Sequence, residues 1–345
     1  MRMNVRQLGV RLVVALVGPV PSGGLDQIRK HTVSPCTFRT FPRLREDATV
    51  RKQVADADVV VAQYFTESMV RAARKLKVLH AVGAGVDSLC LQALSADTTV
   101  ANVYFHGPAV AEYILMTMLA LSRNLLGMDR QFRKGAWRGS WIWGDPPVDE
   151  IRGKTLGIIG FGHIGQEVAL RAKIFGMKIW ALSARPRADK PNTIDSWLGP
   201  AGLRDLLREC DYIVLACPLN DATRGLIGHR EFGWMKRSAV LINVARAMIV
   251  DEVALYRALR ARRIRGAALD VWYRHPTGRR ARTPSRYAFE KLQNVIMTPH
   301  IAGWTRGTFE ERFQAIAGNI DRLASGRRLV NVIQGKLRHS PLASN

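Results

Sequence analysis

Short runs of apolar, mostly β-branched residues recur along this chain, each followed by a stretch of helical periodicity. From Thr155 onward the runs are Leu156–Ile159, Lys178–Leu182, Asp211–Ala216, Ala239–Asn243, Ala267–Val271 and Asn294–Thr298. The first hundred residues carry a second, weaker set with the same rhythm: Leu12–Val17, Val33–Phe38, Val59–Gln63, Val78–Val82 and Val100–Val103. Repeated strand–helix units at this spacing predict parallel sheets covered by helices on both faces, hence two doubly wound α/β domains. A helical stretch from about Ala109 to Arg133 is expected to link them. A last helix, from about Thr308 to Ala324, is expected to return to the first domain. The predicted boundaries are therefore 1–108 plus 302–345 for one domain and 109–301 for the other. Pro- and Arg-rich segments at Ala184–Pro191 and Pro276–Pro284 read as surface loops.

A chain of 345 residues is long enough for about two domains with real hydrophobic cores. Apolar residues make up 47% and charged residues 23%, which excludes disordered and collagen-like classes and a multi-span membrane protein. The apolar run after Arg2, Arg6 and Arg11 resembles a secretory signal, but it is short, β-branched and lacks a small-residue cleavage site. It reads as a first buried strand. Cys36, Cys90, Cys210 and Cys217 form no C-x-x-C pair and have no partnering histidine spacing, so reduced thiols in a cytoplasmic protein are expected, with no metal site. The outlying number is the charge: 52 Lys+Arg against 28 Asp+Glu leaves +24. Such an excess points to anionic partners, namely nucleic acid, membrane surface or small anions.

One motif selects among them. Gly160-Phe161-Gly162-His163-Ile164-Gly165 is G-x-G-x-x-G between a predicted strand and the helical run Gln166–Phe175. The first glycine permits a tight turn, the second admits a pyrophosphate to the backbone, and the third lets helix and strand pack closely. The helix N-terminus adds N–H donors and a positive dipole. A dinucleotide cofactor in a Rossmann domain follows. For NAD(H) the next strand should end in a carboxylate that binds the ribose hydroxyls. Here Lys178–Leu182 ends instead at Ser183, followed by Arg185 and Arg187. Guanidinium groups clamp a 2′-phosphate, so NADP(H) is favoured, with NAD(H) possible.

Five further segments resemble, in order and spacing, the D-isomer-specific 2-hydroxyacid dehydrogenases, over about Lys77 to Val332. Ala81-Val82-Gly83-Ala84-Gly85-Val86-Asp87 is similar to the family's substrate loop. Cys217-Pro218-Leu219-Asn220 begins its cofactor-side loop, and Ile242-Asn243-Val244-Ala245-Arg246 carries its catalytic arginine. Leu269-Asp270-Val271-Trp272 and Thr298-Pro299-His300-Ile301-Ala302-Gly303 carry the carboxamide-binding aspartate and the catalytic histidine. The resemblance implies a smaller, flavodoxin-like substrate domain beside the Rossmann domain. It also implies hydride transfer between a nicotinamide and a 2-oxo acid/D-2-hydroxy acid pair. Arg246 would hold the carboxylate and polarise the carbonyl. His300 would supply the proton, the amides of Ala84 and Gly85 would complete carboxylate binding, and Pro218, Ala245 and Asp270 would join Gly160, Gly162, His163, Ile164, Gly165, Ser183 and Arg185 at the cofactor.

The pattern breaks at one position. The family commonly places a glutamate five residues after the aspartate of Leu-Asp-Val, paired with the catalytic histidine; this chain has His275. A second imidazole brings no negative charge, so His300 is harder to keep protonated near pH 7. Three readings follow: a 2-oxo acid reductase using His275 and His300 as a coupled pair, which is preferred; a formate-type dehydrogenase, suggested by Trp272 but disfavoured by His106; and a non-catalytic dinucleotide-sensing regulator. Trp137, Trp141, Trp143 and Trp304 are candidates for an apolar substrate tail or for subunit packing. A homodimer acting on a small carboxylate is expected. Specific nucleic-acid or membrane binding is not, because no helix-turn-helix, zinc-finger or RNA-binding signature accompanies the charge.

Overall fold

In the computed structural model of the chain, residues 11–186, 191–276 and 282–335 are described. They form two compact units, 11–105 with 306–335 and 106–276 with 282–305.

The first unit contains β1 (Leu12–Val17), β2 (Cys36–Phe41), β3 (Val59–Ala62), β4 (Val78–Ala81), β5 (Thr99–Ala101) and a strand near the chain end, Val332–Gln334. The sheet order is β2-β1-β3-β4-β5, all parallel, with Val332–Gln334 antiparallel on the outer edge of β5. This is the flavodoxin-like order. Alternating residues feed opposite faces: Val14 and Leu16 enter one core with Val59 and Val61, while Ala15 and Val17 enter the other with Val60 and Ala62. The helix Arg306–Ala324 closes the first of these cores through Phe313, Ile316 and Ile320. A Cβ on Gly24 would meet the Phe313 ring at 2.2 Å, so the residue there is held to glycine by packing. The expected strand Val33–Phe38 is displaced to Cys36–Phe41. Val33 is 86% exposed, and the amides of Val33 and Ser34 donate instead to the Asp321 carboxylate, at 3.1 and 2.8 Å.

The second unit is built on β6 (Thr155–Ile159), β7 (Lys178–Leu182), β8 (Ser196–Leu198), β9 (Tyr212–Leu215), β10 (Val240–Asn243), β11 (Gly266–Leu269) and β12 (Val295–Met297). The strand Val332–Gln334 of the first unit is β13. The sheet runs β8-β7-β6-β9-β10-β11-β12 and is parallel throughout. Strand order reverses between β6 and β9, and in open parallel sheets the crevice at the carboxyl ends of such strands takes the ligand. Ile213, Leu215 and Leu241 pack on one face, and Tyr212, Val214, Val240 and Ile242 on the other. Each fully buried aliphatic side chain of this kind contributes about 1.5–3 kcal/mol.

The expected single helix from Ala109 to Arg133 is two helices, Gly107–Ser122 and Leu125–Phe132, bent by 58°. Asn124 sits between them with φ 49, a left-handed conformation that asparagine tolerates better than most residues. Among the described residues no single helix is long and apolar enough to cross a membrane. Strands β8 and β13 were not expected from the sequence; each is three residues long.

Candidate active site

The glycine turn connects β6 to the helix His163–Ile174, which begins three residues earlier than its sequence pattern suggests. Gly160 has φ 100, and a Cβ there would lie 2.5 Å from the amide nitrogen of Cys217, at the end of β9. A Cβ on Gly165 would lie 2.5 Å from the Gly160 carbonyl oxygen. Gly162 is different: nothing lies within 4 Å of its Cβ position, which leaves an open approach to the backbone. His163, Ile164 and Gly165 form the first helical turn, where the amides of any helix point out of its N-terminus. Two glycines required by packing, and a third whose open Cβ position leaves the backbone approachable, form a cradle that fits a pyrophosphate at a helix N-terminus.

Ser183 follows β7, and its hydroxyl accepts from the Trp197 indole at 3.0 Å, leaving its own hydrogen to donate. Trp197 lies on β8 and meets Phe161 of the glycine turn edge-on, with ring centroids 5.5 Å apart. This aromatic pair ties the turn to Ser183. Arg185 is exposed just beyond; Arg187 lies outside the described residues. Pro218 is exposed after β9, and its carbonyl accepts from the Thr223 hydroxyl at 2.7 Å, which closes the loop on itself.

Arg246 lies beyond the carboxyl end of β10, half-buried. Asn243, the last residue of β10 and 1% exposed, brackets it: its side-chain oxygen accepts from the Ala245 amide at 3.1 Å, and its Nδ2 donates to the Arg246 carbonyl at 3.0 Å. The Arg246 guanidinium also donates to the Ala245 carbonyl at 2.8 Å.

Asp270, after β11, is 1% exposed and organises the neighbouring segment. Its Oδ1 accepts from the Thr298 hydroxyl at 2.6 Å and from the Ile301 amide at 2.8 Å, while Oδ2 accepts from the Ala302 amide at 2.8 Å. Because Thr298 donates to Asp270, the Tyr113 hydroxyl is the donor in its own 2.6 Å bond to Thr298. Burial pushes the Tyr113 phenol up to about 12, against the opposing effect of the Thr298 bond, and so keeps it protonated. The Trp272 indole donates to the Thr298 carbonyl at 2.8 Å. Between these anchors His300 takes φ 62, a left-handed conformation that costs a non-glycine residue about 1–3 kcal/mol unless its surroundings impose it. Two consecutive amides donated to a buried carboxylate impose it here.

His300 and His275 are both exposed. His275 lies at the start of the loop beyond Trp272, its carbonyl accepting from Arg282 at 3.0 Å.

Ala84 and Gly85 belong to the first unit, in the loop after β4. Asn102, 2% exposed, holds that loop by donating to the Ala84 carbonyl at 2.9 Å. In the same unit, the buried His80 lies with Nδ1 2.9 Å from the Ala81 carbonyl and Nε2 3.0 Å from Nδ2 of Asn319. Asn319 also donates to the Val330 carbonyl.

Sequence reasoning missed Asn243, Thr298, Tyr113, Trp197 and Asn102. Asn243 and Thr298 stand inside recognised segments, but nothing in their spacing reveals which backbone groups they hold.

The comparisons with known proteins decide the family. Residues 115–302 match the family profile described as D-isomer specific 2-hydroxyacid dehydrogenase, NAD binding domain. A glyoxylate reductase of Thermococcus gammatolerans is 32% identical over 330 residues, spanning 91% of this chain and 93% of its own. The chain belongs to the D-isomer specific 2-hydroxyacid dehydrogenase family. As a 2-hydroxyacid dehydrogenase it is an NAD(P)-dependent oxidoreductase that moves a hydride between a nicotinamide and a 2-oxo acid/D-2-hydroxy acid pair. Among solved structures, an acyclic imino acid reductase in complex with NADPH and D-Arg superposes with TM-score 0.79 at 27% identity, covering 94% of this chain and 100% of that one. A formate dehydrogenase from Granulicella superposes with TM-score 0.77 at 25% identity, covering 89% and 82%. The dehydrogenase fold therefore serves several reactions, and the site must say which one operates here.

Proposed function

We propose that this dehydrogenase reduces a small 2-oxo acid with NADPH, using Arg246 and His300 on the reacting group. The carrying observation is the Asp270 carboxylate, which fixes His300 in a left-handed turn through the amides of Ile301 and Ala302. Bound, the nicotinamide supplies the hydride that arrives at C2. Arg246 holds the substrate carboxylate and draws charge toward the carbonyl oxygen, where negative charge develops. His300 then donates a proton to that oxygen. The resemblance adds the amides of Ala84 and Gly85 as carboxylate ligands.

The amides of the turn Gly160, Gly162, His163, Ile164 and Gly165 would hold the cofactor, and Pro218 and Ala245 are the further residues assigned to it. Asp270 Oδ2 takes one bond from the protein, which leaves a lone pair for the carboxamide. The preference for NADP(H) is supported by Ser183 and Arg185 in place of a carboxylate, and NADPH stands in the imino acid reductase structure. The dehydrogenase is expected to act in the cytoplasm as a homodimer. Support for the dimer is the set of exposed apolar residues Leu125, Leu126, Phe132, Trp137, Trp141 and Trp143, all within residues 125–143 on one helix and the segment after it.

His275 stands where the family commonly has a glutamate and brings no negative charge of its own, so support for a His300 imidazolium is not supplied from that position. That observation favours a second substrate class, 2-imino acids. Their iminium nitrogen is already protonated, so hydride addition gives a neutral amine without a general acid. The test is NADPH oxidation against glyoxylate, hydroxypyruvate and pyruvate, with pyruvate plus ammonia and formate plus NADP⁺ as further arms. Oxidation with at least one 2-oxo acid is expected. His275→Glu should move the His300 limb of the pH–rate profile upward. Silence in every oxo acid arm overturns the reading, and activity only with ammonia present replaces it with the imine reaction.

A further inference from the structure

Asp251 and Glu252 follow the turn that carries Arg246, and beside them opens a cleft of about 480 Å³ that no step above uses. Arg224, Arg274 and Arg286 line it together with Met248, Val250 and Tyr273. None of the residues assigned to substrate or cofactor contributes to its wall. Its size falls within the range of small-molecule sites, about 300–1,000 Å³.

The two acids at the cleft are already committed. Asp251 caps the helix Glu252–Arg260, its Oδ1 accepting from the Ala254 amide at 2.7 Å. Glu252 is buried and accepts from the Ser285 hydroxyl at 2.7 Å and from Nε of Arg286 at 2.8 Å. That bond uses one edge of the Arg286 guanidinium and leaves its two terminal nitrogens on a side chain that is 65% exposed. Neither Arg224 nor Arg274 takes part in an ion pair among the described residues. Three guanidiniums thus share one concavity with two carboxylates, and with Glu252 spent on Arg286 the balance of Arg224, Arg274 and Asp251 stays one positive, which favours entry of an anion.

The wall is also held in place before any ligand arrives. The Gly225 amide donates to the Met248 carbonyl at 2.9 Å, and the Asp251 amide to the Ile227 carbonyl at 2.9 Å, forming a short bridge beside Val250. The Tyr273 hydroxyl is spent on the Val250 carbonyl at 2.9 Å. The backbone of the wall and Tyr273 therefore need no further ordering on binding, and the remaining cost falls on the exposed arginine side chains. Planar guanidinium forks match phosphate oxygens bidentately, and Met248, Val250 and Tyr273 offer apolar area to a carbon body.

We propose that this cleft is a second ligand site, for a small organic phosphate with an apolar body. It is tested by titration calorimetry of the full chain saturated with NADPH, so that the cofactor's own phosphate sites are filled, with phenyl phosphate as the probe. One saturable site per chain is expected. Arg224→Gln and Arg274→Gln, both exposed substitutions, should each weaken it by about tenfold or more. Arg152→Gln, which removes an exposed charge of the same unit that is paired with Glu150 and is not among the cleft residues, should leave the affinity unchanged. Absence of saturable binding up to about 10 mM overturns the proposal. So does equal weakening by Arg152→Gln, which would show only the general positive field.

Discussion

Replacing Asp270 with asparagine removes an acceptor without changing the shape of the side chain. One amide oxygen can serve Thr298 and Ile301, as Oδ1 does now, but the amide nitrogen then faces the Ala302 N–H, donor against donor. Ala302 is buried, and a buried donor left unsatisfied costs about 1–3 kcal/mol. That cost falls on the segment 298–302 and its left-handed His300. Local opening should therefore become about 5- to 150-fold more frequent. Hydrogen exchange followed by mass spectrometry over this segment reads the change directly, with β6 and β9 as internal references. The kcat for 2-oxo acid reduction should fall with it, because His300 loses its fixed orientation. Exchange at Ile301 and Ala302 that stays at the wild-type rate, with kcat unchanged, would refute Asp270 as the anchor of this turn.

Two further outcomes are expected. Burial lowers the His80 imidazole from its ordinary 6.5 to about 4, against the weaker opposing effect of its bond to Ala81. Between these values the unfolded chain binds a proton that the folded chain refuses. His80 thus stabilises fully above about pH 6.5, and about 3 kcal/mol is lost as pH falls to about 4. Urea unfolding across this window should show the slope in the wild type and a smaller one in His80→Gln; equal slopes would show that His80 does not titrate this way. Arg185→Gln should weaken NADPH about tenfold or more in a fluorescence titration while leaving NADH within about twofold, and parallel losses would remove the 2′-phosphate assignment.

What the sequence made legible follows physical lines. β1 and β7 have the bounds read from their residues, because their apolar side chains feed the cores on both faces of the sheet. β8 and β13 escaped because each is a half-buried edge strand in which a polar residue, Ser196 or Gln334, interrupts an already short apolar run. Val33 misled, since it is branched and apolar yet sits outside the sheet. The glycine turn was readable because each glycine is there for a local reason. The Asp270–Thr298–Tyr113 chain was not, because it joins positions 113, 270 and 298, whose proximity depends on strand order. His275 was recognised as a departure from its neighbourhood, but its consequence depends on chemistry at His300 that residue types alone do not set.

The charge excess also resolves unevenly. Ten arginines and one acid lie between Arg257 and Arg286, and that acid, Asp270, is buried on the His300 turn. Arg286 is spent on Glu252, and Arg265 donates to the Ser122 carbonyl and to Asp149. Part of the surplus is thus structural, part lines the cleft beside Asp251, and the remainder supplies a field that draws anions.

The central claim, that Arg246 engages a 2-oxo acid while hydride is delivered to C2, is tested most directly by deuterium transfer. The 2-oxo acid that the substrate screen shows to be turned over, reduced with NADPH carrying deuterium on the transferred position, should give the 2-hydroxy acid labelled at C2. Arg246→Gln should lower kcat/KM by about 10²–10³-fold with cofactor affinity unchanged. Unlabelled product, or an Arg246→Gln variant that turns over like the wild type, would contradict the account.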